Sequence, residues 1–212
     1  MGPIDRMMGE RNLLTHPFYR RWQRGEVSLE VLRDYAVQYY AYESALPTFL
    51  AAAIAHFPDG PVRASLVDNL ADEAGGPEPH PELWLRFAEG LGVERAAVIG
   101  ADLLPRTANL VETYRSLCER GGEEALAALY AYEAQFPAVA ATKAEGLRRY
   151  YGLTDPRSLE FFDLHSTLDV EHAEGIRSGL VDSQPAREAA ALALDAWWGM
   201  LDSFEAASLA EG

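Results

Sequence analysis

Apolar residues recur at intervals of three and four along most of the chain, which is the spacing of amphipathic helices. The alternating pattern of β-strands is nearly absent. We therefore predict an all-α fold, with residues 1–212 forming a single up-down helical bundle domain of seven or eight helices joined by short links.

Gly, Pro and Asp residues mark where these helices should begin and end. Ser28 is placed to cap a long helix with Pro47 as a kink, and Asp155–Pro156 is placed to open another. Pro137 falls inside a segment that we predict as one continuous helix. After a short N-terminal helix, the predicted segments are 28–57, 61–74, 79–90, 105–120, 123–151, 155–181 and 184–209.

Composition limits the class of protein. The chain is 49% hydrophobic and 24% charged, as in soluble globular proteins, and it has neither a run of about 18 apolar residues nor the pattern of a signal peptide. Its formal net charge of −15 repels phosphate groups, so we expect neither nucleic acid nor membrane as a partner. The single cysteine, Cys118, excludes an internal disulfide and suits a reducing, cytoplasmic location.

The strongest chemical signal is the run His165-x3-Asp169-x2-His172, whose side chains fall on one face of a helix. Phe162 and Ile176 extend the same face, so three polar side chains interrupt a stripe that should be buried. Burying them uncompensated is costly, and a metal ion would remove that cost. A hydrogen-bonded His–Asp–His cluster or an exposed face would produce the same pattern.

Two other segments offer matching ligands. Glu133 lies among apolar neighbours in the middle of the predicted helix 123–151, where a charge is out of place. Glu73 and His80 flank the break between two predicted helices, although a solvated glutamate and a loop histidine would also explain that pair. With the run on the helix 155–181, these residues give three carboxylates and three imidazoles.

Six ligands exceed the three that a catalytic zinc ion keeps. They suit two ions with open positions for oxygen, and mixed nitrogen and oxygen ligation favours iron or manganese. We therefore expect a pair of iron ions, or one iron and one manganese, that activates dioxygen with electrons from an external reductant.

Lys143 is a further charged residue on a predicted apolar stripe. The stripe consists of Phe136, Ala140, Lys143, Leu147 and Tyr150. A buried lysine would have a lowered pKa and a nucleophilic amine, whereas a snorkelling lysine would reach solvent. On an unbroken helix, Lys143 would point about 80° away from Glu133.

The helix order and these motifs resemble the haem-oxygenase-like diiron oxidases and oxygenases, which share the fold of the TenA and PqqC proteins. Within that superfamily the chain is closer to the family of the chlamydial protein associating with death domains. The resembling segments are 16–22, 35–47, 68–73, 80–87, 130–143 and 165–172.

This resemblance implies an unusual synthesis of para-aminobenzoate, for folate, in which the enzyme consumes one of its own tyrosines. Tyr19 matches the sacrificed tyrosine and Lys143 the amino donor, while Tyr35 and Tyr132 match tyrosines that line the site. The resemblance also implies a homodimer that uses dioxygen and needs no external aromatic substrate.

Other functions stay open at this point. An ordinary diiron oxygenase acting on an external small molecule, such as an amino acid or a fatty acid, would use the same ligands. Metal-free relatives that handle thiamin breakdown products or a quinone cofactor share the bundle, but the six-ligand set disfavours them. Cys118 does not match the nucleophilic cysteine of the thiamin enzymes. A non-enzymatic binding role would leave the open metal positions unexplained.

Overall fold

The computed structural model describes residues 2–75 and 78–210, and the side chains of residues 167–171 and 210 lie outside the described part. Over these residues the chain forms eleven α-helices and one 3₁₀ turn (Leu13–Thr15), without strands. The helices are α1 (Pro3–Glu10), α2 (Pro17–Arg24), α3 (Leu29–Ile54), α4 (Pro61–Ala74), α5 (His80–Gly90), α6 (Arg95–Ile99), α7 (Pro105–Arg120), α8 (Gly122–Glu133), α9 (Phe136–Tyr150), α10 (Pro156–Gly179) and α11 (Gln184–Ala210). The all-α prediction is confirmed, and the helix count exceeds the predicted seven or eight. None of the described helices is both long and apolar enough to cross a bilayer.

The predicted continuous helix 123–151 is wrong, because the chain breaks it into α8 and α9. Pro137 occupies the first turn of α9. Backbone N–H groups in the first turn have no acceptor within the helix, so a proline, which lacks this group, is tolerated there. The side chain of Gln135 covers the junction, accepting a hydrogen bond from the N–H of Leu13 and donating one to the carbonyl of Ala131. Glu133 is therefore the last residue of α8 and not a mid-helix residue.

Helix α10 is the element around which the site is built. It packs against α4, α5, α8 and α9, which approach it from several sides. Its buried face carries His165 and His172, and Phe162 and Ile176 continue that face into the core as the stripe predicts. A polar face surrounded in this way meets side chains from the neighbouring helices and not solvent.

Helix α2 approaches α9 unusually closely at Gly146. A Cβ atom at this position would lie 2.6 Å from Cδ1 of Trp22, so a larger residue would push the two helices apart. The indole of Trp22 also donates a hydrogen bond to the carbonyl of Lys143, at 3.3 Å. These contacts bring the side chains of α2 against the predicted apolar stripe of α9. Every residue of that stripe is buried except Tyr150.

The start of α2 is fixed by the buried residue His16. Its Nδ1 accepts a hydrogen bond from the N–H of Phe18, which caps the helix. The ring proton must then sit on Nε2, which donates to Asp202 of α11 at 3.1 Å. Tyr19 is thereby held in the core by a capped helix that is tied to α11.

Candidate metal centre

Three side chains from three helices meet in the core. Glu73 ends α4, His80 begins α5, and His165 lies within α10. One ligand atom from each lies within 4.8 Å of the others. Nδ1 of His80 is 3.0 Å from Oε2 of Glu73, and Nε2 of His165 is 3.7 Å from Oε1. All three residues are buried, as in an enclosed metal site.

The direction of the ring protons shows that a cation fits between these groups. Nδ1 of His165 donates to the carbonyl oxygen of Phe161 at 2.6 Å, so Nε2 presents a lone pair to the carboxylate of Glu73. Nε2 of His165 and Oε1 of Glu73 are then two acceptors that face each other. Oε2 of Glu73 and Nδ1 of His80 are also buried, and although they lie 3.0 Å apart, neither makes a hydrogen bond of acceptable geometry within the described residues. A bound metal ion would satisfy all of these atoms at once.

A second group of potential ligands lies on α8 and α10. Oε1 of Glu133 accepts a hydrogen bond from Nδ2 of Asn69 at 3.0 Å, and Oε2 lies 3.9 Å from Nδ1 of His172. The predicted ligand Asp169 lies outside the residues whose side chains are described. The structure thus brings five of the six predicted ligands into two neighbouring groups, and their binding of metal stays a prediction.

Glu43 of α3 is a buried carboxylate at this centre that the sequence analysis missed. It accepts a hydrogen bond from the hydroxyl of Tyr132 at 3.3 Å. Burial raises the pKa of Glu43 well above its usual range, and the negative charge of Glu73 raises it further. Burial also raises the pKa of Glu133, and the neighbouring imidazole of His172 offsets this only in part. Carboxylates crowded in this way favour binding of cations, which replace the protons.

The amine of Lys143 is enclosed by aromatic rings, which we call the aromatic cage. The cage consists of Tyr19, Tyr35, Tyr39, Trp84, Phe136 and Phe162. Nζ lies 4.2 Å from the ring centre of Tyr39, 5.2 Å from that of Tyr35 and 5.6 Å from that of Tyr19. Lys143 therefore does not snorkel to the surface, and it is the only lysine of the chain.

The surroundings of Lys143 favour the neutral amine. Lys143 is 0% exposed, and Nζ has no hydrogen-bond partner among the described residues. Burial lowers the pKa of Lys143 well below its usual value, and the negative charge of Glu43 opposes this only in part. An uncharged amine keeps its lone pair and is a nucleophile.

Two pairs of tyrosine hydroxyls connect the aromatic cage with its neighbours. The hydroxyls of Tyr19 and Tyr35 are 2.8 Å apart, and both rings line the cage. The hydroxyls of Tyr39 and Tyr132 are 2.6 Å apart, and Tyr132 continues to Glu43. Of the tyrosines predicted for the site, Tyr19 and Tyr35 face Lys143, whereas Tyr132 lies between the cage and the metal-site carboxylates.

Comparisons with known proteins agree with this geometry. A 4-aminobenzoate synthase from Nitrosomonas europaea is 40% identical, covering 94% of this chain and 88% of that protein, and one from Chlamydia pneumoniae is 31% identical, covering 95% and 92%. The solved structure of a TenA homologue from Pseudomonas syringae has the same fold, with a TM-score of 0.81 at 15% identity, covering 97% of this chain and 98% of that one. Residues 33–207 match the sequence profile described as "Iron-containing redox enzyme". The predicted resemblance is therefore confirmed, and the chain belongs to this family of iron-containing redox enzymes.

Proposed function

We propose that this chain is a metal- and oxygen-dependent para-aminobenzoate synthase that consumes its own Tyr19 and takes the amino group from Lys143. The observation that supports this most directly is the burial of both residues, with Tyr19 1% exposed and Lys143 0% exposed. A substrate from solution would have to displace core side chains to reach the amine, whereas the ring of Tyr19 already lies beside it. The names of the curated relatives point to the same product.

The structures of tyrosine and para-aminobenzoate define the chemical change. The ring and Cβ of Tyr19 would supply all carbon atoms of the product, so the Cα–Cβ bond breaks and Cβ is oxidised to the carboxylate. Cα would take up a hydrogen in place of Cβ. The nitrogen of Lys143 would bond to the ring carbon that carries the phenolic oxygen, and that oxygen would leave as water. The Cε–Nζ bond of Lys143 would then break as Cε is oxidised to an aldehyde. Dioxygen is the oxidant and an external reductant supplies further electrons, while two bound ions, both iron or iron with manganese, would supply the redox chemistry.

The residues of the chain would bind the ions, orient the reacting groups and exclude water. The six predicted ligands would hold the ions: Glu73, His80, Glu133, His165, Asp169 and His172. Tyr35 orients the ring of Tyr19 through the hydroxyl pair. The aromatic cage excludes water, and this burial keeps the amine of Lys143 neutral. Tyr132 holds Glu43 by a hydrogen bond at the metal end of the site.

Isotope labelling tests this proposal sharply, because a label on lysine enters the chain at one position only. Protein is grown with ring-¹³C tyrosine and side-chain-¹⁵N lysine, purified without iron, and then given iron, reductant and oxygen without any aromatic substrate. We expect at most one doubly labelled para-aminobenzoate per chain. Intact mass should show a loss at Tyr19 and a modification at Lys143.

Two variants give the matched comparison. Tyr19→Phe removes the proposed source of the product, whereas Tyr114→Phe changes a buried tyrosine outside the aromatic cage. Labelled product from Tyr114→Phe but not from Tyr19→Phe supports the proposal. Repeated turnover by Tyr19→Phe, or unlabelled product formed from free tyrosine, would contradict it and favour an oxygenase with an external substrate.

A further inference from the structure

We infer that Asp72 is a positioning residue for the second metal position, where it holds one nitrogen of His172 so that the other faces Glu133. The inference rests on the proposed two-ion centre. Asp72 directly precedes the predicted ligand Glu73 in the last turn of α4. Because neighbouring helix residues point about 100° apart, Glu73 faces the centre while the side chain of Asp72 lies at its edge and is 47% exposed.

The contact between Asp72 and His172 determines which ring nitrogen of a neutral His172 carries the proton. Nε2 of His172 lies 3.0 Å from Oδ2 of Asp72 and donates to it. A neutral imidazole has a single N–H group, so a proton held on Nε2 leaves a lone pair on Nδ1. Nδ1 is the nitrogen on the buried side, 3.9 Å from Oε2 of Glu133. A carboxylate that accepts the outer N–H of a ligating histidine orients the ring and strengthens it as a ligand.

The two histidines of α10 therefore present different ring nitrogens to the centre. His165 donates from Nδ1 to the carbonyl of Phe161 in its own helix, and so offers Nε2. His172 offers Nδ1 and donates from Nε2 to a carboxylate of another helix, which helps to orient it. A backbone carbonyl persists whatever residue is substituted, whereas the hydrogen bond from Nε2 of His172 to Asp72 is lost with one side chain. Loss of Asp72 should therefore weaken one metal position and spare the other.

Titration with Mn²⁺ measures this difference without requiring activity. Metal-free protein is titrated while free Mn²⁺ is followed by electron paramagnetic resonance, for the wild type, Asp72→Ala, Asp72→Asn and Asp68→Ala. Asp68 is the matched control, because it is an exposed aspartate about one turn earlier on α4. We expect Asp72→Ala to bind the first ion normally and the second about 10–100-fold more weakly. Asp72→Asn should lose less affinity for the second ion, because its amide oxygen can still accept a hydrogen bond from the N–H of His172.

The outcomes separate this inference from the function on which it rests. If the wild type binds only one Mn²⁺ per chain, the two-ion centre is wrong, and both the proposed function and the role of Asp72 fail. If the wild type binds two ions and Asp72→Ala binds both with unchanged affinity, the role of Asp72 is wrong while the proposed function stands. If Asp72→Ala weakens the affinity for both ions equally and Asp68→Ala leaves both affinities unchanged, a role of Asp72 limited to His172 is also wrong.

Discussion

Replacing Glu73 with alanine will abolish product formation and remove metal from the centre. Glu73 is the carboxylate that His80 and His165 both approach, so its loss leaves two buried imidazoles without their shared partner. Loss of a partner that only orients a ligand costs about 10–100-fold in metal affinity, and loss of the ligand itself should cost more than about 100-fold. Metal content after dialysis and the yield of para-aminobenzoate measure the two effects.

Two further variants make the result for Glu73 specific. Glu73→Gln keeps the size of the side chain but removes the charge, and it should fail nearly as completely as alanine. Glu145→Ala is the control, because the Glu145 side chain on α9 is 74% exposed and lies away from the predicted ligands. A Glu73→Ala protein that retains two ions and full yield would exclude the proposed metal centre.

Replacing Lys143 with methionine will eliminate the product and at the same time stabilise the fold. A buried polar group without a hydrogen-bond partner costs about 1–3 kcal/mol, and methionine fills a similar volume without that cost. We therefore expect the free energy of unfolding to rise by about 1–3 kcal/mol at neutral pH. A gain in stability combined with complete loss of product distinguishes a group kept for chemistry from one kept for packing.

The stabilisation by Lys143→Met should depend on pH with a definite sign. The pKa of Lys143 in the folded protein lies well below the usual 10.5, so between these two values the unfolded wild type binds more protons than the folded one. The contribution of Lys143 to wild-type stability therefore becomes less unfavourable as pH rises through this window. Urea unfolding at neutral and alkaline pH should show the advantage of the variant shrinking toward pH 10.5. An advantage that grows with pH would contradict a buried neutral amine.

Much of the fold could be predicted because apolar periodicity and helix-ending residues act locally. The break between α8 and α9 could not, because Pro137 is compatible both with a kinked helix and with the first turn of a new one. What decides between them is Gln135, whose side chain bonds to Leu13, a residue that is distant in sequence. A contact between residues so far apart in the sequence cannot be predicted from local patterns.

The candidate site shows the same division between local and distant information. Lys143 could be singled out because a charge on an apolar stripe is visible in the sequence, and its being the only lysine adds to that signal. Glu43 carries a similar signal on α3, among Tyr39, Tyr42 and Leu46, and the same test applied to α3 would have found it. Asp72 carries no such signal, because an exposed aspartate is ordinary until the position of His172 is known.

The position of Tyr19 in the core has a consequence for the lifetime of the protein. If its side chain is cut out as proposed, the chain loses a fully packed aromatic ring, and losses of this kind cost about 3–5 kcal/mol. That is a large part of the roughly 5–15 kcal/mol by which a typical domain is stable. A spent chain would then be open to proteolysis, and cellular supply of the product would follow the rate of translation instead of the rate of turnover.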